Sequence, residues 1–192
     1  MAPKFDALLK DFSGTGCCSA EELAAVEHEL GHHLDRDYRS FMLTRGGGEG
    51  SIGDGYLILW KMVELLPFNR EYEVEKRAPG LLLFGSSGGG EGYGFDRRSG
   101  RVSLVRVPFI GLSWRHAIEA VSSFGEFLGA LGARRGKSRN SSASPGLEVF
   151  EIKPVVFGGS ATDAGNKTLL TREQHFGAVR FWNNLLGRGT RG

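Results

Sequence analysis

The most explicit chemistry in this sequence is offered by His28-Glu29-Leu30-Gly31-His32. Two histidines one helical turn apart can hold a zinc ion while the glutamate between them activates a bound water. The neighbouring residues argue against that use. Gly31 falls where a left-handed helix end is expected, which takes His32 out of register with His28. Both histidines also lie off the apolar stripe of Leu23, Val26 and Leu30, on a solvated face. The extended zinc pattern fails, with Asp35 and Tyr38 where Gly and His belong, and nothing places Glu49 as a third ligand. His28, Glu29 and His32 are therefore read as helix-surface residues without a metal. A zinc hydrolase built on them stands as the enzymatic alternative.

Other matches fall on the same kind of test. Gly48-Glu49-Gly50-Ser51-Ile52-Gly53 fits G-x-G-x-x-G but follows a helix and opens a strand, whereas a dinucleotide fingerprint needs the reverse order to place the pyrophosphate at a helix N-terminus. Gly132 to Ser138 is one residue too short for a phosphate loop. Cys17 beside a helix cap reads as a small loop residue rather than a nucleophile. The run Arg134, Arg135, Lys137, Arg139 could meet phosphates, yet it lacks interleaved aromatics and a recognition fold, so nucleic acid is not assigned as a partner. No catalytic residue and no cofactor is assigned.

The elements that carry these residues divide the chain. Ser19-Ala20-Glu21-Glu22 and Ser123-Phe124-Gly125-Glu126 are capping boxes that open helices, and a short helix between them carries Tyr38, Phe41 and Met42. Tyr56 to Trp60, Leu81 to Phe84, Gly92 to Phe95 and Val102 to Val107 read as strands, the last two joined by the turn-forming Asp96 to Gly100. Helices bracketing consecutive strands predict an α+β fold, a mainly antiparallel sheet with helices on one side. From Met1 to Leu131 the chain carries 14 basic and 18 acidic side chains; from Gly132 onward it carries 10 and 4. The boundary is the stretch 132–146, too poor in large apolar residues to fold, which reads as a basic linker. Beyond it, residues 147–192 offer a strand from Val149 to Phe157, broken by Pro154. A helix follows, opened by the Thr171-Arg172-Glu173-Gln174 capping box and striped with Phe176, Val179, Trp182 and Leu186. This extension is expected to dock on the body, residues 1–131.

Two adjacent cysteines, Cys17 and Cys18, make no disulfide framework and fit a reducing cytoplasm. No apolar run is long enough to cross a membrane, and the first twelve residues carry charges where a signal peptide has its apolar stretch. Glycine, 30 of 192 residues, is clustered rather than periodic and marks tight turns.

One ordered set of motifs carries a family likeness. Glu27-x-x-Leu30-Gly31-x-x-Leu34-x-x-Asp37-Tyr38-x-x-Phe41 leads into the Gly46-Gly47-Gly48 turn. Asp54 to Trp60, Ala78 to Ser86, and Gly88 to Glu91 with Tyr93 to Asp96 follow, then Val107 to Gly111 and Ser123-Phe124-x-x-Phe127-Leu128. Over about residues 17 to 131 this resembles the SUKH superfamily, which holds the fungal Smi/Knr cell-wall regulators and many bacterial relatives. Arg45 departs from the polar Asn or His frequent there. The resemblance implies a binding domain: bacterial members are mostly immunity proteins that occlude a cognate toxin, often a nuclease or deaminase. An intracellular Smi/Knr-type scaffold is the other reading. For the immunity role the expected partner surface joins the acids Glu49, Asp54, Glu91 and Asp96, which would steer a basic active site, with Tyr56, Trp60, Tyr93 and Phe95 as anchors.

Overall fold

A computed structural model describes residues 7–99, 103–133 and 146–189. Its spine is a seven-stranded antiparallel sheet in which every strand pairs with its neighbours in sequence: β1 (Asp11–Gly14), β2 (Gly48–Ile52), β3 (Gly55–Leu59), β4 (Leu81–Ser86), β5 (Glu91–Asp96), β6 (Ser103–Pro108) and β7 (Ile118–Val121). The fold class is α+β.

Helix α1 (Ala20–Leu30) begins where the Ser19 hydroxyl accepts from the Glu22 amide at 3.1 Å and the Glu22 carboxylate accepts from the Ser19 amide at 2.9 Å. It ends at Gly31, whose φ of 73° lies in the left-handed region that costs a side chain energy. Glu27 then holds the following turn. Its buried carboxylate accepts from the Leu34 amide at 2.7 Å and from His33 Nδ1 at 2.9 Å, and it is ion-paired with Arg39, whose Nε lies 3.0 Å away. Burial opposes ionisation of Glu27, but those partners outweigh it and hold its pKa below the usual value.

Asp35 caps α2 (Arg36–Thr44) through the Tyr38 amide and also accepts from the amide of Phe124, the first residue of α5 (Phe124–Gly132). The two helices pack on one face of the sheet around Tyr38, whose ring centroid lies 5.1 to 5.7 Å from those of Phe84, Phe95 and Phe124. Gly48 and Gly50 let β1 lie close on β2. A Cβ at either would sit 2.3 or 2.1 Å from a carbonyl oxygen of β1, closer than any side chain tolerates.

The sheet is narrowest between β3 and β4, which share the pairs Ile58–Ser86 and Leu59–Gly85 and, just past them, one bond from the Trp60 amide to the Phe84 carbonyl at 3.0 Å. Beyond them the strands part and α3 (Met62–Glu71), followed by α4 (Val74–Arg77), lies over the gap. Asn69 takes the place of the missing strand: its carboxamide accepts from the Leu83 amide at 2.8 Å and donates to the Leu83 carbonyl at 2.7 Å. Buried backbone groups require such partners.

The opposite face bears the C-terminal part. Strands β8 (Leu147–Glu151) and β9 (Lys167–Thr171) form a second, two-stranded sheet, and Thr171 and Gln174 bond reciprocally at the start of α6 (Arg172–Gly189). The strand expected to run to Phe157 stops at Glu151; after Pro154 the chain makes a 3-10 turn over Val155–Phe157. Phe176 packs edge-on to Phe68 and Tyr72, and Phe176 and Val179 are buried. At roughly 1.5–3 kcal/mol for each large apolar side chain removed from water, these contacts dominate the attachment. Of the stretch read as a basic linker, Gly132 closes α5, Gly146 meets Glu49, and 134–145 lie outside the described residues.

Candidate partner-binding surface

The eight residues expected to form one surface separate into three groups. Trp60, Tyr93 and Phe95 are core side chains: each is at most 6% exposed. Trp60 lies between Phe68 and Tyr72, Tyr93 meets Phe127, and Phe95 meets Tyr38 and Phe84. Strand alternation explains the error, because Tyr93 and Phe95 sit two apart and so point to the same, helix-covered face.

Glu91 and Asp96 are not joined in one acidic patch. They open and close β5, at opposite ends of the sheet, and register places them on opposite faces. Each also has an arginine of its own. Arg106 bonds Glu91 at 3.0 Å, and Arg98 bonds Asp96 at 2.8 and 3.0 Å, which lowers the Asp96 pKa. Arg98 in turn lies 3.4 Å over the Trp114 ring.

Glu49, Asp54 and Tyr56 do fall together. Asp54 is exposed at the β2–β3 turn. Register puts Glu49, Ser51, Tyr56 and Ile58 on one face, the face that carries the C-terminal part. Tyr56 is half-buried, and burial first, then the Glu49 carboxylate, raise its pKa. Glu49 accepts from the Gly146 amide at 3.0 Å, so the surface is partly engaged by the chain itself. Glu91 starts β5 at the same end of the sheet as the Asp54 turn, since β3 and β5 run in the same direction.

The HELGH residues are dispersed as the helix end requires. His28 stands in the last turn of α1, Glu29 is ion-paired with Arg70, and His32 Nδ1 donates to the His33 carbonyl. Among the described residues no group of three His, Cys, Asp or Glu side chains is placed to hold a metal ion, and no helix is long and apolar enough to cross a membrane.

Sequence reasoning missed a buried polar cluster where α6 meets the body. Arg172 pairs with Glu148, which is fully buried and also accepts from the Ser86 hydroxyl at 3.1 Å. The guanidinium lies 5.6 and 5.9 Å from the rings of Phe68 and Trp60. One turn on, fully buried His175 shares a 2.7 Å hydrogen bond with the Tyr72 hydroxyl while its Nε2 has no partner. Burial, and then the positive charge of Arg172, push the His175 pKa down to about 3. Burial likewise raises that of Tyr72. A neutral imidazole in such a site orders a contact; it has no access to a substrate. The only forewarning was a histidine and an arginine among the apolar stripe of α6.

A family model described as SMI1 / KNR4 family (SUKH-1) matches residues 17–130 of the chain. No curated protein matches it. The matched stretch ends inside α5, so β8, β9 and α6 lie outside it.

Proposed function

Because the chain belongs to the SMI1 / KNR4 family (SUKH-1), we propose that it acts by binding another protein, as an immunity-type partner that occludes the active site of a cognate toxin such as a nuclease or deaminase. Family membership is the observation that carries this reading. In it the chain works in the cytoplasm, stoichiometrically, and without chemistry of its own. The body to residue 131 supplies the binding surface, and residues 147–192 brace it from beside, on the sheet face that carries Glu49 and Tyr56. The contact residues are Asp54, Tyr56 and Glu49, with Glu91 at the same sheet end but on the opposite face. Their mixture of one aromatic and several acids suits a basic, substrate-binding cleft, where opposite charge speeds encounter.

Co-expression with the product of the adjacent gene in the source genome tests this. Expected are growth rescue and a one-to-one complex, weakened when Asp54→Lys and Glu49→Lys are combined. A toxic neighbour that is neither bound nor neutralised would falsify the immunity role. The ion pairing of Glu91 and Asp96 weakens the field on which toxin steering depends, and so favours a second reading, a Smi/Knr-type regulatory scaffold. That reading is selected if the chain binds its partner without inhibiting it.

A further inference from the structure

Helix α6 has two apolar faces. His175, Phe176, Val179 and Asn183 are buried against the body. The outer side carries Phe181, 61% exposed, and Leu185, 40% exposed, with Trp182 leaning on Phe157 beside them. Exposed apolar clusters of this kind, aromatic at the centre and polar at the rim, mark contact surfaces. We propose that this face pairs with the same face of a second copy of the chain, the two α6 helices antiparallel about a two-fold axis at Phe181.

The fit is written along one row of the helix. Glu173, Gly177, Phe181 and Leu185 follow one another at intervals of four and are all exposed. An axis at Phe181 sets Leu185 of each copy opposite Gly177 of the partner subunit. A Cβ placed on Gly177 meets nothing within 4 Å, so the notch that would receive the leucine is open. One turn further out, Glu173 faces the last turn of the partner helix, which carries Arg188. Symmetry repeats this contact of unlike charges at the other end, in the sense that also suits the helix dipoles. A large residue matched to a notch and an acid matched to a base, both within one helix read against its own reverse, select a second copy over an unrelated protein. Val155 and Val156, 52% and 60% exposed in the turn before Phe157, extend the contact at its flank. Four-residue ridges interdigitate readily where a glycine admits the opposing side chain.

Sedimentation velocity of the full chain across the micromolar range tests the proposal. A monomer–dimer equilibrium is expected. Phe181→Asp should be monomeric throughout. Gly177→Leu should be monomeric as well while melting no lower than the natural sequence, since leucine is the better helix former and the site is open. Glu173→Arg and Arg188→Glu should each raise the dimer Kd by about three- to tenfold, because an exposed pair is modest but occurs twice. Both reversals in one chain should restore it. A chain monomeric at every concentration, dimers undisturbed by Phe181→Asp, or a double reversal no better than either single variant overturns the assignment.

Discussion

Mild acidification should loosen this protein through one side chain. His175 is fully buried and its pKa is pushed from 6.5 down to about 3, by burial and by Arg172. Tyr72 occupies its Nδ1, and a proton on Nε2 would find no acceptor. Between those two values the unfolded chain binds a proton that the folded chain refuses. Stability from this group is therefore complete above about pH 6.5 and is lost progressively as the pH falls towards 3. The slope approaches about 1.4 kcal/mol per pH unit, or roughly 2 kcal/mol by pH 5. The carboxylates of Glu27, Glu73 and Asp96 have lowered pKa values, and what they contribute is lost only below the ordinary carboxylate range. The window from pH 7 to 5 thus lies above the range of these carboxylates, and comparison with a variant lacking His175 picks out its share. Urea unfolding at pH 7, 6 and 5, followed by tryptophan fluorescence, gives the slope for the natural sequence and for His175→Gln. The variant will be less stable at pH 7 because Tyr72 loses its partner, but its profile should be flatter by about 2 kcal/mol over the window. Equal slopes would refute the reasoning whatever the absolute stabilities.

Three further outcomes are expected. Arg172→Ala leaves the Glu148 carboxylate buried without its cation and should cost about 3–5 kcal/mol, while Arg172→Met with Glu148→Met recovers most of the loss; both are read by denaturant titration. Asn69→Leu strands the amide and carbonyl of Leu83 and should cost roughly 1–3 kcal/mol, with faster hydrogen exchange at the Leu83 amide. Trp60→Ala should lower stability by about 3–5 kcal/mol and affect partner affinity only as far as it unfolds the chain, whereas Asp54→Lys should slow association and leave the melting temperature unchanged.

The parts of this fold that were legible in the sequence are those with local causes. The capping boxes at Ser19 and Thr171 depend on residues three apart and form with both reciprocal bonds; at Ser123 the hydroxyl caps the Glu126 amide as expected, but the Glu126 carboxylate accepts from the Ser122 amide instead. Gly31 ends its helix for an equally local reason. What stayed hidden depends on distant partners. Helix α3 contains Pro67, which breaks the usual helical signal, and β2 is so rich in glycine that only the approach of β1 explains it as a strand. The site suffered most. Tyr93 and Phe95 look alike whether they face solvent or core, and Phe127 of α5 and Tyr38 of α2, both distant in sequence, decide the matter. The acids of β5 carry no mark in sequence of the arginines that neutralise them. Nor does the stripe of α6 show that Phe181 and Leu185, just off it, form a face of their own.

The seam at Leu59 and Gly85 gives the body a mechanical grain. With two register pairs and one further backbone bond holding three strands to four, and a carboxamide standing where a backbone should be, the sheet is two panels joined at a narrow seam. A load applied to the β2–β3 tip is carried by the small panel first. It reaches the large one through Asn69 and through the clamp that Gly146 and Arg172 make on the face of the C-terminal part, so stiffness at the tip is set in part by residues away from the tip itself.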